Sequence, residues 1–420
     1  MLDKVIFIII LIAISLFLIF LCKYVFRFEL NDPAVIFNII WMSTIIIGVA
    51  TLNFEFSYLG LSYVVLLCIV AVLTSRVFCL RTKSFNDLDK KRKFNVGMSR
   101  IIVIFATLLG DTVVVLNLHK TGISINQLFD LSSLMSVNNQ MAVTRYSDVQ
   151  ETSVISQLLL IFEYFAPISA GYHCGSTQSK KDLMISCFGL TPALFALMVQ
   201  NTKSGVLASV FLYFSSYMIA HIYEKRKTKL RLKNMVKYFV MVLSLLSLLF
   251  VSMILRTGHY SIVLVKLLVG KFVVYALGQV AVFDYWFSNH GIISYGFGKN
   301  TFIGVTSFFG INERIQGVYN VPVYIGQFSS NIYSTFRGVI QDYGTIGCVI
   351  FVVLMFGVAK LAYEYLSVGR AVIFSSFILL NVYFFVFTSF LISPWTYVSY
   401  IMALFLFIPY LMIVRNNDGK

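Results

Sequence analysis

Residues 331–347 read NIYSTFRGVIQDYGTIG and lead directly into a run of nearly pure hydrocarbon through residue 366. An arginine (Arg337), an aspartate (Asp342) and three glycines (Gly338, Gly344 and Gly347) thus gather where a chain would re-enter a membrane. Charges at such a mouth touch water and lipid headgroups together. If the stretch is helical from about Ile332, Arg337 and Gln341 share a face and Asp342 turns away from Arg337. Each charge then needs a partner outside its own helix. Gly344 and Gly347 permit a close helix approach or a break at the membrane surface.

The same alternation of apolar runs and short polar joints continues outward through all 420 residues, of which 59% are hydrophobic and 12% charged. A soluble domain of mean hydropathy +0.85 would expose far too much apolar surface. The composition therefore predicts an all-α polytopic membrane protein forming one integral membrane domain over 1–420. About eleven spans are expected, at 5–22, 34–53, 58–79, 101–118, 154–173, 183–200, 204–223, 238–255, 344–366, 371–390 and 396–414. The first ends in CKYVFRFE without a small-residue cleavage site, so it reads as a span and not a signal peptide. The net charge of +15 lies in short joints, as the positive-inside rule produces, and does not form a nucleic-acid surface. Placing the basic segments 81–100 and 224–237 in the cytoplasm puts Lys23 with Arg27, Lys180 with Lys181, Arg370, and Arg415 with Lys420 on that side too. The N-terminus is then outside and the C-terminus inside.

Two outer loops are long, at 119–153 and 256–336; loops of such length are usually functional. Within the second, 261–283 is apolar enough to span. Crossing would carry Lys266 and Lys271 into the bilayer at about 2.5–3.5 kcal/mol each. Short amphipathic helices on the outer leaflet are the expectation instead.

The six cysteines and five histidines show neither C-x-x-C nor metal-ligand spacing, which predicts no disulfide framework and no metal site. No phosphate-binding loop or dinucleotide fingerprint occurs either, arguing against a nucleotide-driven pump and a nucleotide cofactor. The residues that carry chemistry lie at the outer surface. Lys203 sits in a tight Asn-Thr-Lys-Ser-Gly turn. Arg256 ends the eighth span with His259 three residues on. Arg145 lies in the first outer loop and Arg314, beside Glu313, in the second; Asp284 and His290 flank the aromatic run YWFSN. Arginine can hold phosphate oxygens as a fork, and histidine can exchange a proton near neutral pH. Lys203, Arg145 and Arg314 equally suit solvated or interfacial cations, and the aromatic run with Asp284 and His290 suits the face of a sugar and a membrane belt equally. Asp111 and Glu163 are mid-span acids, weak as an ion pathway. Lys360 and Glu364, four apart, are expected to pair on one helix face.

NIYSTFRGVIQDYGTIG (331–347), followed at once by a hydrophobic span, resembles the late motif of the oligosaccharide repeat-unit polymerases, the Wzy-type O-antigen polymerases: roughly Asn-hydrophobic-Tyr-Thr-x-x-Arg, then Asp-aromatic-Gly-x-x-Gly. FGKNTFIGVTSFFG (297–310) is similar to that family's Gly…Thr-Phe segment, and ALGQVAVFDYWF (276–287) to its Tyr/Gly…Phe stretch. Lys203 stands where members often carry arginine, a point charge in place of a fork. The resemblance implies a metal-independent, GT-C-like glycosyltransferase of the bacterial inner membrane, without cofactor, its active site facing the periplasm. Its substrate would be an oligosaccharide on undecaprenyl pyrophosphate, with the growing glycan passed to the non-reducing end of a new lipid-linked unit. A chain-length regulator and membrane lipid are the expected partners, and nucleic acid is not.

Such a reaction needs positive charge at headgroup depth. Arg337 and Arg256 are the expected diphosphate ligands, with Lys203, Arg145, Arg314 and Asn331 in support. The acceptor hydroxyl would be assisted by His259 or Asp342, with His290 and Glu313 as further candidates. An O-antigen ligase with the same donor, and a lipid-linked oligosaccharide flippase or other secondary transporter, are the alternatives. Transporters commonly show repeated halves and midplane charges.

Overall fold

A computed structural model describes residues 2–80, 93–120, 122–146, 154–177, 179–225, 232–257, 261–290, 295–312, 319 and 321–415. The chain is helical almost throughout. In order come α1 (Leu2–Phe20, prolonged by a π-helical turn to Val25), α2 (Pro33–Thr51), α3 (Leu59–Val77), α4 (Val96–Lys120), α5 (Leu131–Tyr146), α6 (Val154–Ser176), α7 (Lys180–Phe188), α8 (Thr191–Gln200), α9 (Lys203–Tyr223) and α10 (Leu232–Leu255). They are followed by α11 (Ile262–Asn289), α12 (Ile303–Phe308), the strands β1 (Val323–Ile325) and β2 (Phe328–Ser330), α13 (Thr335–Ser367), α14 (Val372–Thr388) and α15 (Val398–Val414). Among the described residues nine helical runs are long and apolar enough to cross a membrane, with three shorter apolar helices at Val240–Leu255, Val372–Thr388 and Val398–Val414. This is the architecture of an all-α, multi-pass membrane protein.

Three departures from the sequence reading matter. The expected span 183–200 falls in one of these nine runs, Lys180–Gln200, but as two helices, α7 and α8, parted at Gly189 and Leu190. A Cβ at Gly189 would come 2.3 Å from that of Ala170, so glycine lets α6 approach there, and Pro192 starts α8 afresh. The expected short surface helices of 261–283 are instead the single 28-residue α11, with no proline to end it, which is itself one of the nine runs long and apolar enough to cross. Lys266 and Lys271 are exposed on it. Its later half meets the ends of spans and a hairpin: Gly48 faces Val280, Gly60 faces Asp284 and Phe287, Gly270 faces Phe328, and Gly278 faces Ile325 and Ser330. That hairpin, β1–β2, is the third departure; it pairs Val323 with Ser330 and Ile325 with Phe328. Gly326 opens its two-residue turn with φ +61°, the left-handed start such a turn needs.

The helices cluster into two compact units, Met1–Lys90 with Gly270–Ile401 and Lys91–Val269 with Met402–Lys420. In the first, α13 packs on α3 and α14, and α2 on α1, α3 and α14. Its centre is aromatic: Phe37, Trp41, Phe336, Phe356 and Phe385 are all buried, with Phe336 against Trp41 at 5.4 Å and Phe37 against Phe356 at 4.9 Å. One ion cluster is sealed into this unit, where Lys360 bridges Asp32 (2.8 Å) and the expected Glu364 (3.0 Å).

In the second unit α6 lies between α4 and α9. Glycines set these distances, since a Cβ at Gly171 would fall 2.1 Å from the Tyr213 carbonyl oxygen and one at Gly110 2.9 Å from Pro192. Part of the long 119–153 loop is folded here. Val137 and Met141 of α5 join Val114 and Leu118 of α4 and Ala196 and Val199 of α8 in one apolar cluster.

Candidate functional site

Arg337 belongs to the first unit, and its neighbours in sequence aim it. Phe336 is driven into the aromatic core, and the Thr335 amide donates to the Ser389 carbonyl (2.9 Å), fixing the first turn of α13. Arg337 then leaves the core on another side. Its guanidinium lies 3.8 Å from the centre of the Tyr319 ring and 3.9 Å from that of Tyr333, with Trp286 of α11 at 5.3 Å. Tyrosine rings attract a cation at about 0.5–2 kcal/mol each. Nε and Nη1 of Arg337 are buried without a hydrogen-bond partner among the described residues, as are Ser334 Oγ, Thr335 Oγ1 and Gln341 Oε1 nearby in the sequence. Buried polar atoms are nearly always paired. A group of orphans in one eight-residue stretch therefore marks a place built for a polar ligand. Burial and the acid Asp342 push the Tyr319 hydroxyl above the usual tyrosine range, while Arg337 opposes them. Asn331 serves this arrangement from outside, donating its amide to the Tyr319 carbonyl at 3.3 Å.

His290 stacks on Trp286 with ring centres 4.8 Å apart, so one indole contacts both the guanidinium and the imidazole. Nδ1 donates to the Phe287 carbonyl at 2.6 Å. In the neutral ring the acceptor nitrogen is then Nε2.

Asp342 does something other than take a proton from a substrate. As expected, it does not pair with Arg337. Its buried carboxylate instead accepts from the amides of Asn300 (3.1 Å) and Thr301 (2.6 Å) and from Asn300 Nδ2 (2.9 Å). The loop even leaves out a side chain at Gly296, where a Cβ would stand 2.3 Å from Oδ1. Lone pairs so engaged make Asp342 a clamp on the 296–301 loop, which corrects its reading as a base. Asp284 is likewise corrected from glycan ligand to cap. It is fully buried and accepts from the amides of Ser57, Tyr58, Gly60 and Leu61, so α11 caps the start of α3.

Gly344 completes the site's frame. Its φ of +74° and ψ of 177° lie inside α13, so the helix is broken there. A short polar helix, Thr335–Tyr343, thus stands on the long apolar one with its own direction.

Lys203 and Arg256 belong to the second unit. Asn201 ends α8 in the left-handed conformation (φ +56°) and accepts from Lys203 Nζ at 2.7 Å. Its own amide donates to Asn138 Oδ1 (2.6 Å) and to the Ser252 carbonyl (2.8 Å), tying α5 and α10 to the Lys203 turn. Arg256 is exposed just past α10. Glu163, buried in α6, lies beside Gly205 at the start of α9. Asp111 accepts from the Thr191 hydroxyl at 3.2 Å. His259, Glu313 and Arg314 lie outside the described residues, as does the side chain of Arg145.

The second unit also holds a constellation that scattered histidines did not suggest. His173 contacts Ser99 Oγ through Nδ1 (2.9 Å) and Asp182 through Nε2 (3.2 Å). All three are buried, Ser99 Oγ is shared with the Tyr410 hydroxyl at 2.7 Å, and Arg100 holds Asp182 at 2.6 Å. With no exposed nucleophile this is a structural network, not a hydrolytic triad.

Among the signals sequence reading missed, Tyr333 stood in plain view four residues before Arg337. Tyr319 and Trp286 come from elements whose convergence has no local mark. Comparison with protein-family models, curated proteins and solved structures finds no match.

Proposed function

We propose that this chain is a membrane glycosyltransferase that polymerises lipid-linked oligosaccharide repeat units, moving the growing glycan from undecaprenyl pyrophosphate to a new unit at the periplasmic face of the bacterial inner membrane. The observation that carries the reading is Arg337, set against the Tyr319 and Tyr333 rings with its Nε and Nη1 buried and without a hydrogen-bond partner among the described residues. Each of these N–H groups can donate to a phosphate oxygen in a charge-assisted hydrogen bond. The multi-pass architecture supplies a lipid-embedded setting for a polyprenyl donor.

In this mechanism an acceptor hydroxyl oxygen attacks the anomeric carbon of the donor sugar. A new C–O bond forms as the bond to the diphosphate oxygen breaks, and the leaving diphosphate keeps the electron pair. Arg337 stabilises that growing charge, a contribution of about 10²–10³ in rate for one fixed donor. The acceptor proton passes to His290 Nε2, the nitrogen not engaged by Phe287. Lys203 and Arg256, in the second unit, are candidate ligands for lipid headgroups.

The test is a lipopolysaccharide gel from cells lacking the chain, complemented with wild type or Arg337→Ala at matched abundance. A ladder restored by wild type and collapsed to core plus a single repeat by the variant supports the polymerase. A full ladder with Arg337→Ala refutes the role of Arg337. Loss of every repeat, including the first, in the uncomplemented cells favours a ligase or flippase instead.

A further inference from the structure

The first unit carries a half-open cavity of about 410 Å³, lined by the start of α1, the 53–58 link between α2 and α3, and the tip of the β1–β2 hairpin. None of the residues around Arg337 lines it. Its size falls in the ordinary range of small-ligand pockets, roughly 300–1,000 Å³.

The lining has two halves of different chemistry. One is aromatic: Phe56 stacks on Tyr58 (6.1 Å, 24°), Phe54 meets Phe56 edge-on (5.2 Å), and Tyr324 stands at the hairpin tip. Tyr324 is 73% exposed, while its strand neighbours Val323 and Ile325 are buried, so the hairpin holds a large ring out beside the cavity. The other half is polar, with the carboxylates of Asp3 and Glu55 and the amide of Asn53. The cation at the site, Lys4, is already engaged, donating to the Leu52 carbonyl (3.2 Å) and lying over Phe56 (5.5 Å).

This pattern discriminates among ligands. With two carboxylates against one engaged lysine, the cavity repels phosphate and headgroup phosphodiesters. An acyl chain would leave the carboxylates and the amide facing hydrocarbon. A sugar ring satisfies both halves, since its hydroxyls donate to carboxylate oxygens and its C–H face lies on an aromatic ring. We propose that this cavity is a glycan-binding site for an uncharged saccharide. Saccharide recognition stands on the cavity itself. Its further assignment, to a stretch of the growing chain away from the diphosphate end, rests on the glycosyltransferase reading. The placement suits that role, because β2 leads within a few residues from the cavity's hairpin to Arg337.

The experiment titrates purified full-length protein with the uncharged fraction of one- to four-repeat oligosaccharides, released by mild acid from the producing cells' own surface polysaccharide and free of lipid and phosphate. Binding is read by saturation-transfer NMR. The expected result is binding by wild type and by Arg337→Ala alike, no competition from inorganic diphosphate, and affinity about ten-fold weaker in Tyr324→Ala and in Glu55→Gln. Tyr324 and Glu55 are exposed, so both variants keep the fold. No binding by wild type at millimolar oligosaccharide overturns the proposal. So does wild-type affinity in both variants, or loss of binding in Arg337→Ala. In cells, Tyr324→Ala should shorten the ladder that Arg337→Ala collapses. If Arg337→Ala leaves the ladder whole, the glycosyltransferase reading fails while the titration still decides the cavity.

Discussion

Replacing Asp342 by asparagine separates a clamp from a base. The carboxylate serves three donors on two oxygens: the Thr301 amide at 2.6 Å, the Asn300 amide at 3.1 Å from both oxygens, and Asn300 Nδ2 at 2.9 Å. An asparagine keeps one acceptor oxygen and turns an NH2 group toward the remaining donors. At least one charge-assisted bond, worth about 1.5–3 kcal/mol, is lost, and the others become neutral bonds worth about 1 kcal/mol each. Asp342 is fully buried, so water cannot fill in. The expected loss is therefore about 3–4 kcal/mol. For a unit of roughly 200 residues each kcal/mol lowers the midpoint by about 2–4 °C, so a fall of about 6–16 °C follows. The assay is thermal unfolding in detergent, followed with a thiol-reactive dye, since Cys22, Cys68 and Cys348 of the same unit are buried and become reactive only on opening. A protein that unfolds within about 2 °C of wild type yet has lost transfer activity would refute the clamp and restore Asp342 as a base.

Three further outcomes are expected. Gly344→Ala places a side chain at φ +74°, ψ 177° and within 3.2 Å of the Tyr295 ring; backbone strain of about 1–3 kcal/mol should lower the unfolding midpoint, while Gly97→Ala, whose Cβ would meet nothing nearer than 3.6 Å, leaves it in place. Lys360→Met leaves Asp32 buried without its cation and should destabilise by about 3–5 kcal/mol, with much of the loss recovered when Asp32→Asn is added, as unfolding midpoints of the single and double variants will tell. Asp284→Ala removes the cap on α3 and should raise hydrogen exchange at the amides of Gly60 and Leu61 by about ten-fold or more, leaving exchange within α14 unchanged.

What could be read from the chain, and what could not, divides on the range of the forces involved. Spans were legible because each is a local sum of apolar side chains, as from Pro33 to Thr51. At Gly344 and Gly347 a close approach or a break was legible, because glycine alone takes such conformations easily, but not which of the two glycines breaks the helix. The roles of Asp284 and Asp342 were not, because their partners are backbone amides more than 200 and more than 40 residues away, and an amide carries no letter in a sequence. The β1–β2 hairpin escaped because three-residue strands leave almost no alternation to detect. Lys360 showed its helix neighbour Glu364 at four-residue spacing but not Asp32, which reaches it from the far end of the chain. Tyr319, Tyr333 and Trp286 become a site only when three elements meet on one guanidinium.

The interruption at Gly344 also bears on how such a chain can change over generations. In an unbroken helix, inserting or deleting one residue within the membrane would rotate everything above it by about 100° and swing Arg337 off target. With Gly344 between them, the rotational phase of 335–343 is fixed by Phe336 in the aromatic core and by Asp342 on its loop. The lower helix can then drift in length and register to suit bilayers of different thickness while the arginine keeps its aim.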